Sequence, residues 1–193
     1  MPLSLTRSIM VILLPGFIVC LPMIIAAIDF SEVRTITRET PQVSIAIAFT
    51  ATVLIGSILE ALSSRIEISL DKKWEHELSV SVNWFDYLAH NDGNEPVGFR
   101  YLSRLATTMY FELSMACATI LSGILSIIFI SLNYGLQSCG IIAFLAVLFF
   151  LMSYTLYKSG CDTHFVLCTA RKEIMSRLKS KREQRASDSA GKE

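Results

Sequence analysis

From Leu113 to Tyr157 the chain carries no charged side chain, forty-five residues in succession. A water-facing domain needs charge far more often than that, so this stretch belongs in an apolar medium. Motifs for chemistry are missing too. There is no phosphate-binding glycine loop, no HExxH, no nucleophile elbow and no cysteine–histidine nucleophile arrangement. Deep positions of the apolar segments hold serine, threonine and glycine without a base. The expectation is a non-enzymatic protein without a cofactor. Five cysteines are present, yet none pairs as CxxC, and no disulfide framework is implied. No Asn-x-Ser/Thr sequon marks a glycosylated outer face.

What remains is strongly apolar. Of 193 residues, 52% are hydrophobic, and the mean hydropathy is +0.51. A bilayer core takes about 20 residues per helical crossing, so the uncharged run holds two crossings. They part at the polar patch 133–138. The third span covers about Thr108 to Leu132 and the fourth about Gly140 to Tyr157. Upstream, Ser8–Ile28 is uncharged and contains Pro15, Gly16 and Pro22, which predicts a kinked first span. A cleaved signal peptide is the rival reading, disfavoured by the length of the run. After a polar connection, Pro41 opens a second span from Gln42 to about Leu62.

Small residues recur every four positions in the second span, at Ser44, Ala48, Thr52 and Gly56, with Glu60 next in the series. In lipid, such residues let helix backbones approach closely. Ala116, Thr119, Gly123 and Ser126, following Glu112, share a face of the third span. Packing within one subunit is the plain reading of both faces; a contact between subunits of a homo-oligomer, or a pore lining, is the sharper one.

Residues 65–95 read as an amphipathic helix, with Leu70, Trp74, Leu78, Val82 and Phe85 along one side. Such a helix suits a membrane surface or a partner chain. Turn formers at 90–98 end it, and Pro96 opens a helix through Arg100 and Arg104 into the third span. The tail from Lys158 crowds Arg171, Lys172, Arg177, Lys179, Lys181, Arg182 and Arg185 around Ile174 and Leu178. This basic amphipathic helix beside the bilayer calls for anionic lipid. Nucleic acid is disfavoured, because no aromatic residues interleave the bases.

Lysine and arginine accumulate on the cytoplasmic side of a membrane. The N-terminus, the central loop 60–112 and the tail hold one, five and nine of them, against two in the other connections. Both termini and the central loop are therefore expected inside, most simply at a bacterial inner membrane. The expected fold is all-α: four transmembrane helices, a cytoplasmic amphipathic helix and a basic cytoplasmic C-terminal helix. Its units are a first hairpin over 1–64, a cytoplasmic segment over 65–107, a second hairpin over 108–157 and the tail over 158–193.

Glu60 and Glu112 are the acids of interest, since each sits near the end of a span where a carboxylate needs a partner or water. Arg65, Arg100 and Arg104 are the bases within sequence reach of them. Cys161, His164 and Cys168 fall on one helical face and form a weak candidate metal set, with ordinary packing the simpler explanation. Asp86 and His90, one turn apart, read as a surface pair.

Three functional classes fit these features. A homo-oligomeric anchor or accessory subunit, assembled through the small-residue faces and presenting cytoplasmic elements to a protein partner, fits best. An oligomeric ion-conducting pore or permeabilising effector comes second, testable by ion flux in liposomes. A small proton-coupled transporter working through Glu60 and Glu112 is weakest, and unchanged transport in a double glutamine variant would end it.

Overall fold

The computed structural model describes residues 9–28, 30–82, 98–134 and 139–190. Among them the chain is almost wholly helical. A π-helical turn, Ile9–Leu13, leads into α1 (Leu14–Ile28); α2 (Ser31–Glu39), α3 (Pro41–Leu78), α4 (Phe99–Tyr134) and α5 (Cys139–Ala190) follow. The stretch Ile9–Ile28 and helices α3, α4 and α5 are each long and apolar enough to cross a membrane.

Three of these helices are much longer than a crossing. With 38, 36 and 52 residues, α3, α4 and α5 extend about 57, 54 and 78 Å at 1.5 Å per residue, against a hydrocarbon core of about 30 Å. Nothing in their sequence stops them at the bilayer edge. Residues 60–78 and 158–180 contain no proline and only Gly160, so helical hydrogen bonding runs on from apolar into charged sequence. The helix predicted through Arg100 and Arg104 into the third span is present as α4.

Two connections differ from expectation. The polar link after α1 is itself a helix, α2, and Thr40 closes it by donating its hydroxyl to the Ile36 carbonyl, 3.0 Å away. Pro41 then occupies the first turn of α3, where its missing N–H costs nothing. The segment 65–95 is not one helix. α3 ends at Leu78, and Ser79 takes a left-handed conformation with φ 47°. Left-handed backbone costs a residue with a Cβ about 1–2 kcal/mol, and Glu75 offsets that cost. Its carbonyl accepts the Ser79 N–H at 2.9 Å, and its carboxylate accepts the Ser81 N–H at 3.1 Å and the Ser81 hydroxyl. Phe85, Asp86 and His90 lie outside the described residues.

The other spans all pack on α4. In the apolar half, Val19 of α1, Leu59 of α3 and Ala118 of α4 form a core with Ile18, Ile55 and Leu125 around it. α1 and α3 touch backbone to backbone at Gly16 and Gly56. A Cβ on Gly56 would stand 2.0 Å from the Ile12 carbonyl oxygen, and one on Gly16 2.1 Å from that of Thr52. The small-residue series of α3 is thus engaged within the subunit at Thr52 and Gly56, both buried, and only half-buried at Ser44 and Ala48. Strict four-residue spacing precesses by about 40° per step, or about 160° from Ser44 to Glu60, so these five cannot share one narrow face. The buried face follows Thr52, Gly56, Leu59 and Ser63 instead, and Glu60 falls beside it.

Beyond that half lies a second core. Leu102, Met109 and Leu113 of α4 meet Leu167 and Met175 of α5, with Ile66 of α3 against them. Gly56→Val should lower the unfolding midpoint of the detergent-solubilised protein by an amount equivalent to about 2 kcal/mol, because the two backbones must separate. Gly140→Ala, with open space around it, should leave the midpoint within about 0.5 kcal/mol of the parent.

Candidate functional site

Where α3, α4 and α5 leave the apolar half, polar side chains pair across the helices in tiers. The stripe on α3 is Ser63, Glu67 and Asp71, four residues apart. Ser63 and Ser114 of α4 share a hydrogen bond of 2.8 Å, both buried. Tyr110 of α4 donates to the Glu67 carboxylate. On the other side of α4, Glu112 accepts from Ser159 at 2.6 Å and from Thr163 at 2.7 Å. These two hydroxyls are one turn apart on α5, so each reaches a different oxygen of the same carboxylate. Gly160 allows the approach, with Leu113 2.8 Å from where its Cβ would stand.

The last tier joins Asp71 of α3 to His164 and Cys168 of α5. His164 Nε2 lies 2.8 Å from Asp71 Oδ1 and 3.8 Å from Cys168 Sγ. His164 is 1% exposed and Cys168 2%, whereas the Asp71 side chain is 37% exposed. Asp71 follows Pro41 by thirty residues, about 45 Å of helix, which puts this tier beyond a hydrocarbon core that begins at Pro41. Cys168 packs with Leu78 and Val80, and Trp74 leans on Phe165 with ring centroids 5.0 Å apart. A groove of about 560 Å³ opens beside Asp71, between Ile68, Lys72, Glu75, His76 and Ser81.

This geometry redistributes the residues singled out from sequence. Glu60 and Glu112 do not face each other at one depth. Ser63 and Ser114 are level, so Glu60 lies about 4.5 Å to one side of that plane and Glu112 about 3 Å to the other. Both oxygens of Glu112 are taken by neutral hydroxyls. Arg65, Arg100 and Arg104 are all exposed. Ala116, Thr119 and Gly123 are buried and Ser126 half-buried; Ser153 donates to the Ala116 carbonyl at 2.9 Å, and Gly123 faces Phe149. Leu70 and Leu78 are buried and Trp74 half-buried, so that side of the predicted amphipathic helix packs inward against its own chain; Val82 is 56% exposed. Cys161 stays out of the cluster, and Asp71, unmarked in the sequence, takes its place.

The basic tail extends the last span. It continues α5 without a break, so Arg171 and Lys179 lie about 21 and 33 Å along the axis from Tyr157. Lys172 donates to the Glu77 carbonyl at 3.1 Å, and Arg177 pairs with Glu173 at 2.8 Å. The side chains of Lys181, Arg182 and Arg185 lie outside the described ones.

Helices of spanning length and composition, bound by a tiered polar seam at one end, place the chain among polytopic α-helical membrane proteins. Comparison with protein-family models, curated proteins and solved structures returns no match to it.

Glu112→Leu strands two hydroxyls and should cost about 1–3 kcal/mol, read as an earlier unfolding midpoint. Adding Ser159→Ala and Thr163→Val should recover part of that loss, since removing both sides of a hydrogen bond is far cheaper than removing one. A triple variant less stable than Glu112→Leu alone would refute the pairing.

Proposed function

We propose that the chain is a non-enzymatic membrane protein, an anchor or accessory subunit that presents a cytoplasmic helical bundle to a protein partner. One observation carries this reading. Three helices run unbroken from apolar sequence into charged sequence and build a second core there, around Leu102, Met109, Leu167 and Met175. A chain that needed only to cross the bilayer would have no use for about 25–50 Å of additional helix. The charge asymmetry, fifteen bases against two, orients that bundle inward, in the simplest case from a bacterial inner membrane.

The distal bases select the chemistry of the partner. Arg177 and Lys179 are exposed on α5, far from any headgroup if α5 stands upright, and the sequence adds Lys181, Arg182 and Arg185 after them. An acidic protein surface suits them better than lipid.

The pore reading is weaker than the sequence alone would have it. It relied on the small-residue stripe of the second span that ends at Glu60, but Thr52 and Gly56 of that stripe pack inside the subunit. The same engagement removes the main support for a homo-oligomer.

Native mass of the protein, taken from its host membrane into nanodiscs, tests the choice. A second polypeptide at fixed stoichiometry is the expected result. Replacing Arg177, Lys179 and Lys181 by Gln should weaken its retention roughly tenfold at moderate salt without impairing insertion. A discrete multiple of 21.5 kDa alone would refute the accessory-subunit reading and turn attention to ion flux.

A further inference from the structure

We propose that Asp71, His164 and Cys168 form a binding site for a divalent transition metal, with zinc the fitting ion. The proposal is independent of the accessory-subunit reading. It rests on donor chemistry, spacing and access together.

The donors are a carboxylate oxygen, an imidazole nitrogen and a sulfur, a set that suits zinc and its neighbours rather than magnesium or calcium, which prefer oxygen alone. His164 and Cys168 are four apart on α5, one helical turn, so both reach the same point from a single rigid element. Asp71 comes from α3 on the facing side. One ligand atom from each residue falls within 4.8 Å of the others. A tetrahedral zinc site separates its ligands by about 3.4 Å, given bonds of about 2.0–2.3 Å. The observed 2.8 Å from His164 to Asp71 must open slightly, and the 3.8 Å from His164 to Cys168 must close slightly. Rotamer adjustments of that size leave the backbones in place.

Access and the outer coordination position follow from burial. Cys168 is covered by Leu78, Val80 and Trp74 and His164 is buried, while Asp71 borders the open groove. An ion can enter beside the carboxylate, and water from the groove can fill a fourth position. Glu75, the other acid there, is already occupied by Ser81. Binding displaces two protons to solvent, the Cys168 thiol proton and the one His164 shares with Asp71, and leaves a thiolate and a neutral imidazole on the ion. The bound ion would tie the end of α3 to α5 where Ser79 breaks the helix.

Cobalt(II) provides the test, added to the full chain in nanodiscs after treatment with chelator. The expected result is one ion per chain, with a thiolate-to-cobalt charge-transfer band and the intense visible bands of four-coordinate cobalt, both displaced by zinc. Cys168→Ser should abolish the charge-transfer band. His164→Gln and Asp71→Asn should each weaken binding at least about tenfold, and Cys161→Ser should change nothing. Zinc should also raise the unfolding midpoint of the parent protein. No charge-transfer band in the parent, a band kept by Cys168→Ser, or one lost in a folded Cys161→Ser would overturn the assignment. The parent and Cys161→Ser measurements decide the matter even where Cys168→Ser fails to fold.

Discussion

A polar side chain buried among packed helices must find a partner on its own or a neighbouring helix, because little water reaches it there. In this protein that requirement governs how α3, α4 and α5 meet. Ser63 finds Ser114, Glu67 finds Tyr110, Glu112 finds Ser159 and Thr163, and Asp71 finds His164. Each pair permits only one axial register. Sliding a helix by one turn, about 5.4 Å, would exchange the partner of every polar group on it. Apolar contacts alone do not discriminate so sharply, since one leucine packs on another at many offsets.

Deeper in the bundle the constraint changes character. Gly16 and Gly56 bring two backbones together, and van der Waals contact replaces hydrogen bonding as the cohesive term. α4 is the common wall, against α1, α3 and α5 in the apolar half and against α3 and α5 in the other. The molecule thus has two zones: one held by close approach of small residues, the other by paired polar groups over a conventional apolar core. They are continuous because the same three helices run through both.

Much of the first zone was legible in the sequence. Runs without charge mark the spans, and the glycine and threonine of the second span mark a close contact. The partner of that contact was not legible, because spacing on one helix does not say which neighbour fills the notch. Glu112 stands out in the sequence as an acid in an apolar context, yet nothing there marks Ser159 and Thr163, since hydroxyls one turn apart are common and acquire meaning only opposite a carboxylate. Asp71 was hidden for the same reason: among Lys72, Lys73 and Glu75 it resembles any solvated surface charge. The three-residue set drawn from α5 alone included Cys161, which shares the face by spacing but lies about 10.5 Å back along the axis from Cys168.

The sequence by itself determined that the chain crosses an apolar slab in four helical passages, since the length and charge of a segment decide whether it can exist there. It also determined that charge falls mostly at one end. Only the tertiary structure decided that the helices continue past the slab, that the face of Leu70, Trp74 and Leu78 turns inward, and that an aspartate on one helix meets a histidine and a cysteine on another. Partition between media depends on each segment alone and can be summed along the chain. Pairing between helices depends on distance and orientation in three dimensions, which no local pattern contains.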